Sequence, residues 1–212
     1  MIKTIVAYDD NDSGLGDYFN CSFLYIDSLK NQSNTSITGV NGLNCTESNI
    51  NQIIPQHNTQ NFVFVALSHG SDDGMCLVGG DNYVNQNNSN LFINSFFYST
   101  ACHVGKKLGN ILFDNNCKSF IGYTDEAKAP NSGDFVNLFI ECELYALKNF
   151  FLTTKTIEVL FDEMKLFIDD KFLELANGTN IIEAMALLDN KNCMILIANE
   201  NNKLLTKSDF DV

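Results

Sequence analysis

Two apolar runs in this chain end in residues able to do covalent chemistry. Phe62-Val63-Phe64-Val65-Ala66-Leu67-Ser68 leads into His69-Gly70, and Phe96-Phe97-Tyr98-Ser99-Thr100-Ala101 leads into Cys102. A thiol within reach of an imidazole is enough for nucleophilic attack on a carbonyl: sulfur attacks, the imidazole removes and returns protons, and a thioester forms between the two half-reactions. Gly70 lacks a Cβ, so its N–H can approach a developing oxyanion closely. The amides of Gly70 and Cys102 are therefore the expected oxyanion hole. After Cys102, His103-Val104-Gly105-Lys106-Lys107-Leu108 reads as a helix start, whose partial positive charge, aided by Lys106 and Lys107, would favour a thiolate. His103 is assigned to that helix start and not to the base, because neighbours at a strand-to-helix junction point apart.

His69 and Cys102 lie far apart in sequence and need strands to bring them together. Short apolar runs at Ile2–Tyr8, Phe62–Ser68, Phe96–Ala101, Ser119–Tyr123 and Met194–Ala198 read as strands inside a sheet. Helical patterns fall between them at Leu15–Leu29, Glu47–His57, Gly105–Asp114, Phe135–Phe151, Ile157–Leu175 and Asn180–Leu188. The alternation predicts an α/β fold, a three-layer sandwich with a mostly parallel central sheet and helices on both faces. In such sheets ligands bind beyond the carboxyl ends of the strands, which is where both His69 and Cys102 fall. The Ile157 helix places Leu160, Phe161, Met164, Phe167, Ile168 and Phe172 on one stripe; the Phe135 helix is apolar almost all round and is expected in the core. Asn31–Asn49, Asn82–Asn94 and Thr124–Asp134 read as loops rimming a site. No repeat or linker divides the chain, and residues 1–212 read as one domain.

Of 212 residues 45% are hydrophobic, with 17 phenylalanines, which excludes a disordered chain. The formal net charge of −13 disfavours nucleic acid. No run approaches the ~20 apolar residues that span a bilayer, so no membrane partner is expected. The first ten residues read as a strand running into acid rather than an export sequence, and the seven cysteines form no CxxC pair. Reduced thiols and a cytoplasmic location are the expectation. His69, Cys102 and His103 have neither zinc-site spacing nor a fourth ligand, so no metal and no cofactor are expected.

A strand ending in Ser-His-Gly, a Gly/Asp turn region from Ser71 to Asp81, and a strand ending in Ala-Cys together resemble the caspase-like cysteine peptidases. The resemblance spans Ile2 to Thr124. Thr100 and Val104 stand where the caspase signature has Gln and Gly. Ala101-Cys102-His103-Val104-Gly105 looks more like the CHAT branch. The resemblance implies a Cys102/His69 dyad that hydrolyses peptide bonds in protein substrates. Because cells do not tolerate an unregulated cytosolic peptidase, a regulatory protein, a cleavage event or a bound signal is expected to arrange the site. It further implies that residues after the first strand and after the strand following the cysteine line the specificity pocket: Asp9, Asp10, Asp12, Asp125 and Glu126. A carboxylate there would select a basic residue before the cut. Thr124–Asp134 and the helix after it are the expected switch elements. Two other readings compete. One is a catalytically inactive caspase-like interaction module. The other is a receiver-like binding switch, from Asp9-Asp10 and Ser99-Thr100-Ala101, although Ser68-His69-Gly70 stands where a receiver needs its phosphate-accepting Asp.

Overall fold

The computed structural model describes residues 1–77 and 80–211. Val78 and Gly79, within the expected Ser71–Asp81 turn region, lie outside the described residues. The strands are β1 (Ile2–Tyr8), β2 (Thr35–Asn41), β3 (Phe62–Leu67), β4 (His69–Ser71), β5 (Gly74–Cys76), β6 (Asn82–Asn85), β7 (Ser95–Ser99), β8 (Ser119–Tyr123) and β9 (Met194–Ile197). The helices are α1 (Gly16–Ser28), α2 (Glu47–Ile53), α3 (Leu108–Asp114), α4 (Val136–Glu143), α5 (Tyr145–Leu152), α6 (Ile157–Ala176), α7 (Ile181–Cys193) and α8 (Glu200–Lys203). Six strands form the central sheet in the order β2-β1-β3-β7-β8-β9, parallel except for β9, which runs against β8. The fold is α/β, as expected.

Strand alternation divides the interior into two cores. Val63, Val65 and Leu67 of β3 face one side, with Phe96 and Tyr98 of β7, and are covered by α1, α4, α5, α6 and α7. Phe62, Phe64 and Ala66 face the other side, with Phe97 of β7, and are covered by α2, α3 and a small antiparallel sheet of β4, β5 and β6. Both faces of the central strands are dry, which is why those segments read as continuous apolar runs. Among the described residues no helix is long and apolar enough to cross a membrane.

Several expectations are corrected. The Asn31–Asn49 tract contains β2, an edge strand on which only Thr35 and Val40 are buried. Its polar composition hides it, because an edge strand with one wet face needs few apolar residues. The Asn82–Asn94 tract opens with β6. The helix expected over Phe135–Phe151 is two helices meeting at Leu144, both packed into the core. The helix expected from Gly105 begins only at Leu108, after a succession of turns from Cys102 to Lys107.

Candidate active site

β3 and β7 are parallel neighbours, with Phe62 opposite Ser95 and Ala66 opposite Ser99. Their carboxyl ends therefore emerge at one edge of the sheet, and His69 and Cys102 line one small pocket there, about 40 Å³ in volume. The chain beyond β3 turns directly into β4, where Gly70 presses on the turn that carries the cysteine. A Cβ on Gly70 would lie 2.6 Å from the Cys102 carbonyl oxygen, 2.6 Å from Val104 and 2.8 Å from Ala101. The absence of a side chain lets the two segments meet.

His69 is held from two sides. Phe19 of α1 meets the imidazole edge to face, with ring centroids 5.8 Å apart. Asp12, at the entry to α1, brings Oδ2 to 3.4 Å from His69 Nε2. That approach lacks hydrogen-bond alignment, and the buried Nε2 has no hydrogen-bond partner among the described residues. Oδ1 of Asp12 accepts the N–H of Gly14 at 2.8 Å and the N–H of Leu15. The Leu15 N–H is the main cause that holds the Asp12 carboxyl below its usual range, against a smaller opposing effect of burial. Asp12 thus stands beside the imidazole and does not line the pocket that His69 shares with Cys102.

The thiol is not in the electrostatic setting expected from sequence. Cys102 lies six positions before α3, so the helix start expected to follow it directly is displaced along the chain. Lys107 pairs with Asp73, and Lys106 lies 3.9 Å from Asp72. Burial pushes the Cys102 thiol above its ordinary pKa, opposed by the Ala127 N–H, which donates to Sγ at 3.3 Å. His103 adopts φ 64°, a left-handed conformation uncommon away from glycine, and its N–H donates to the Asp125 carbonyl at 3.1 Å. Its Nδ1 stands 3.6 Å from Asp125 Oδ1, on the outer side of the turn.

The remaining acidic residues singled out for substrate binding do not line the pocket shared by His69 and Cys102. Asp9 borders a separate groove with Asn11, Asp12, Leu43 and Leu77, and Asp10 accepts the Asn41 side-chain amide at 3.1 Å. Asp125 and Glu126 line a larger cavity of about 430 Å³ with Asp189 and Cys193, and Glu126 pairs with Lys128. The shared pocket instead contains Glu143, at the end of α4, which the sequence reading missed. Its other lining comes from Leu15, Tyr18 and Phe19 of α1 and its entry, and from Ala127 and Ala129 of the 124–134 loop. That loop is clasped by the buried Asn190 of α7, whose Oδ1 accepts the Lys128 N–H at 2.6 Å and whose Nδ2 donates to the Lys128 carbonyl at 2.8 Å. Among the described residues no group of His, Cys, Asp and Glu side chains is arranged to hold a metal ion. In comparisons with known proteins, no family model matches the chain and no curated protein matches it with significance.

Proposed function

We propose that this chain is a cysteine peptidase of the caspase-like type, cleaving peptide bonds in protein substrates with Cys102 as nucleophile and His69 as general base and acid. The observation that carries the reading is that the ends of two adjacent parallel strands deliver an imidazole and a thiol to one pocket, with Gly70 packed on the cysteine turn. His69 takes the thiol proton as Sγ attacks the scissile carbonyl, and the amides of Gly70 and Cys102 steady the oxyanion. The proton then passes from His69 to the leaving amine, which departs and leaves a thioester. Water deprotonated by His69 hydrolyses the thioester and restores the thiol. Asp12, fixed by two backbone N–H groups 3.4 Å from Nε2, keeps a negative charge beside the imidazolium that forms.

The resting site is held back. The raised thiol pKa and the Ala127 backbone against Sγ describe an unactivated nucleophile, in keeping with control by a partner or signal. The same two observations favour the second reading, an inactive interaction module of the same fold. Labelling of the folded protein with an iodoacetamide probe near neutral pH separates them. Selective modification of Cys102 among the seven cysteines, reduced at least several-fold in His69→Ala, is the result expected of the dyad, followed by peptide hydrolysis that Cys102→Ala abolishes. A Cys102 no more reactive than the exposed Cys21, with labelling indifferent to His69, would return the chain to the binding-module reading.

A further inference from the structure

Glu143 is a buried carboxyl that the catalytic scheme does not use. It is 4% exposed, and among the described residues the Tyr18 hydroxyl, donating to Oε2 at 2.8 Å, is the only hydrogen-bond partner of its carboxyl. Its backbone carbonyl accepts the Tyr98 hydroxyl, so the end of α4 is fixed against the sheet. No cation pairs with the carboxyl among the described residues, and burial pushes it up to about 8. A buried carboxyl without a counter-charge is a standing cost to the fold, and it sits in the same pocket as His69 and Cys102.

The pocket they share is mostly apolar. Leu15, Phe19, Ala127 and Ala129 line it beside the hydroxyl-bearing Tyr18, Ser68 and Thr100, and Lys128, also in the lining, pairs its ammonium with Glu126. Apolar walls above a lone carboxyl suit a side chain with a methylene stem and a cationic head. We infer that Glu143 is the specificity-determining residue of this site, its carboxylate receiving the ammonium or guanidinium group of a Lys or Arg that precedes the cut. The inference rests on the peptidase reading for the position of that residue. It moves selection from the rim carboxylates Asp9, Asp10, Asp125 and Glu126 to the floor of the pocket. At about 40 Å³ the pocket holds little more than one water molecule, so entry of the side chain displaces the Ala127–Ala129 segment that also contacts Cys102. Occupation by the correct side chain and exposure of the thiol are then one event.

The test uses peptidyl acyloxymethyl ketones identical except for a terminal Lys, Arg, norleucine or Asp, and reads the rates at which they label Cys102 in wild type and Glu143→Gln. Ratios between probes are compared, so that any change in thiol reactivity cancels. Wild type is expected to favour Lys or Arg over norleucine by about 10- to 100-fold, and Glu143→Gln to lose that preference. Equal rates in wild type, or a preference that survives in Glu143→Gln, overturn the role of Glu143 while leaving the peptidase reading in place. A second measurement is independent of catalysis: melting of the Cys102→Ala protein with n-butylguanidine, against n-butanol, with and without Glu143→Gln. Stabilisation by the cation that requires Glu143 supports the assignment even if no probe labels Cys102, an outcome that would defeat the peptidase reading alone. No cation-specific stabilisation overturns the assignment.

Discussion

Gly70 illustrates how one residue ties together the chain segments that follow β3 and β7. Its missing side chain leaves room for the Cys102 carbonyl and Val104, neither of which can retreat without moving β7 or the turn that follows it. Gly70→Ala is therefore expected to cost about 1–3 kcal/mol in urea unfolding and to slow Cys102 alkylation. Unchanged stability would mean that the turn yields and that the glycine has no packing role. Glu143 gives a second prediction, of opposite sense in pH. Its folded pKa of about 8 lies above the ordinary 4.5, so below the lower value both states hold the proton and the fold loses nothing. As pH rises between them the unfolded chain releases the proton while the native one retains it, and stability declines until the native carboxyl also ionises. Tyr18, Tyr98 and Tyr123, which face it from α1, β7 and β8, stay neutral throughout that window because burial raises all three. Relative to wild type, Glu143→Gln should gain stability from about pH 5 to about pH 8, by up to a few kcal/mol. A difference that is flat with pH in urea titrations would contradict the buried, unpaired state. Of these residues the sequence made the meeting of His69, Gly70 and Cys102 legible, because neighbouring parallel strands end at one edge of the sheet. Glu143 was not, since an acid in an apolar helix reads as that helix's wet side, and only the closing of α1 and β7 around it makes it dry.

At the scale of elements, the 124–134 loop is the part whose behaviour matters most. Its backbone caps the thiol through Ala127 and is anchored one residue later by Asn190, whose side chain pairs with both polar groups of Lys128 in the way a neighbouring strand would. Removing that anchor leaves the Lys128 backbone without two partners and the loop held mainly through Asp125 and Ala127. Asn190→Ala should lower stability by about 1–3 kcal/mol, speed alkylation of Cys102, and make the bond after Lys128 more susceptible to trypsin. An alkylation rate unchanged by Asn190→Ala would show that the loop does not restrain the nucleophile. The sequence located this loop, from its acidic and proline-bearing composition, but not its clasp, which joins residues from distant elements. It located the central strands from their continuous apolar runs, and α1, α6 and α7 from their periodic apolar faces. It failed for β2, whose wet edge leaves little apolar signal, and for the start of α3, where helix-compatible residues after Cys102 are drawn into turns by His103 and Gly105. The Gly105 N–H donates to the Tyr123 carbonyl at 2.8 Å, tying the turn to β8 before the helix can begin. The electrostatic activation expected at Cys102 depended on that helix and goes with it.

Across the whole molecule, a packed aromatic cluster and the proposed dyad lie at opposite ends of the sheet. His69 and Cys102 follow the carboxyl ends of β3 and β7, whereas the amino end of β7 is packed by Phe96, which meets Phe150 of α5 at 5.0 Å and Phe210 near the carboxyl terminus at 6.5 Å, centroid to centroid. Phe210 also meets Phe150 at 5.3 Å and is fully buried, although the segment carrying it is mostly exposed. The ring thus closes the helix-covered core at the end remote from the dyad. Its truncation in Phe210→Ala leaves a cavity among large rings that cannot collapse into it, with an expected loss of about 3–5 kcal/mol in urea unfolding. Because strand β7 lies between the cavity and Cys102, the alkylation rate of the folded variant is expected to stay within about twofold of wild type, as for sites without shared contacts. A small loss of stability would mean that the terminal segment is peripheral to the fold. A large change in Cys102 reactivity at native stability would mean instead that β7 transmits strain along its length, and that the two ends of the sheet are coupled.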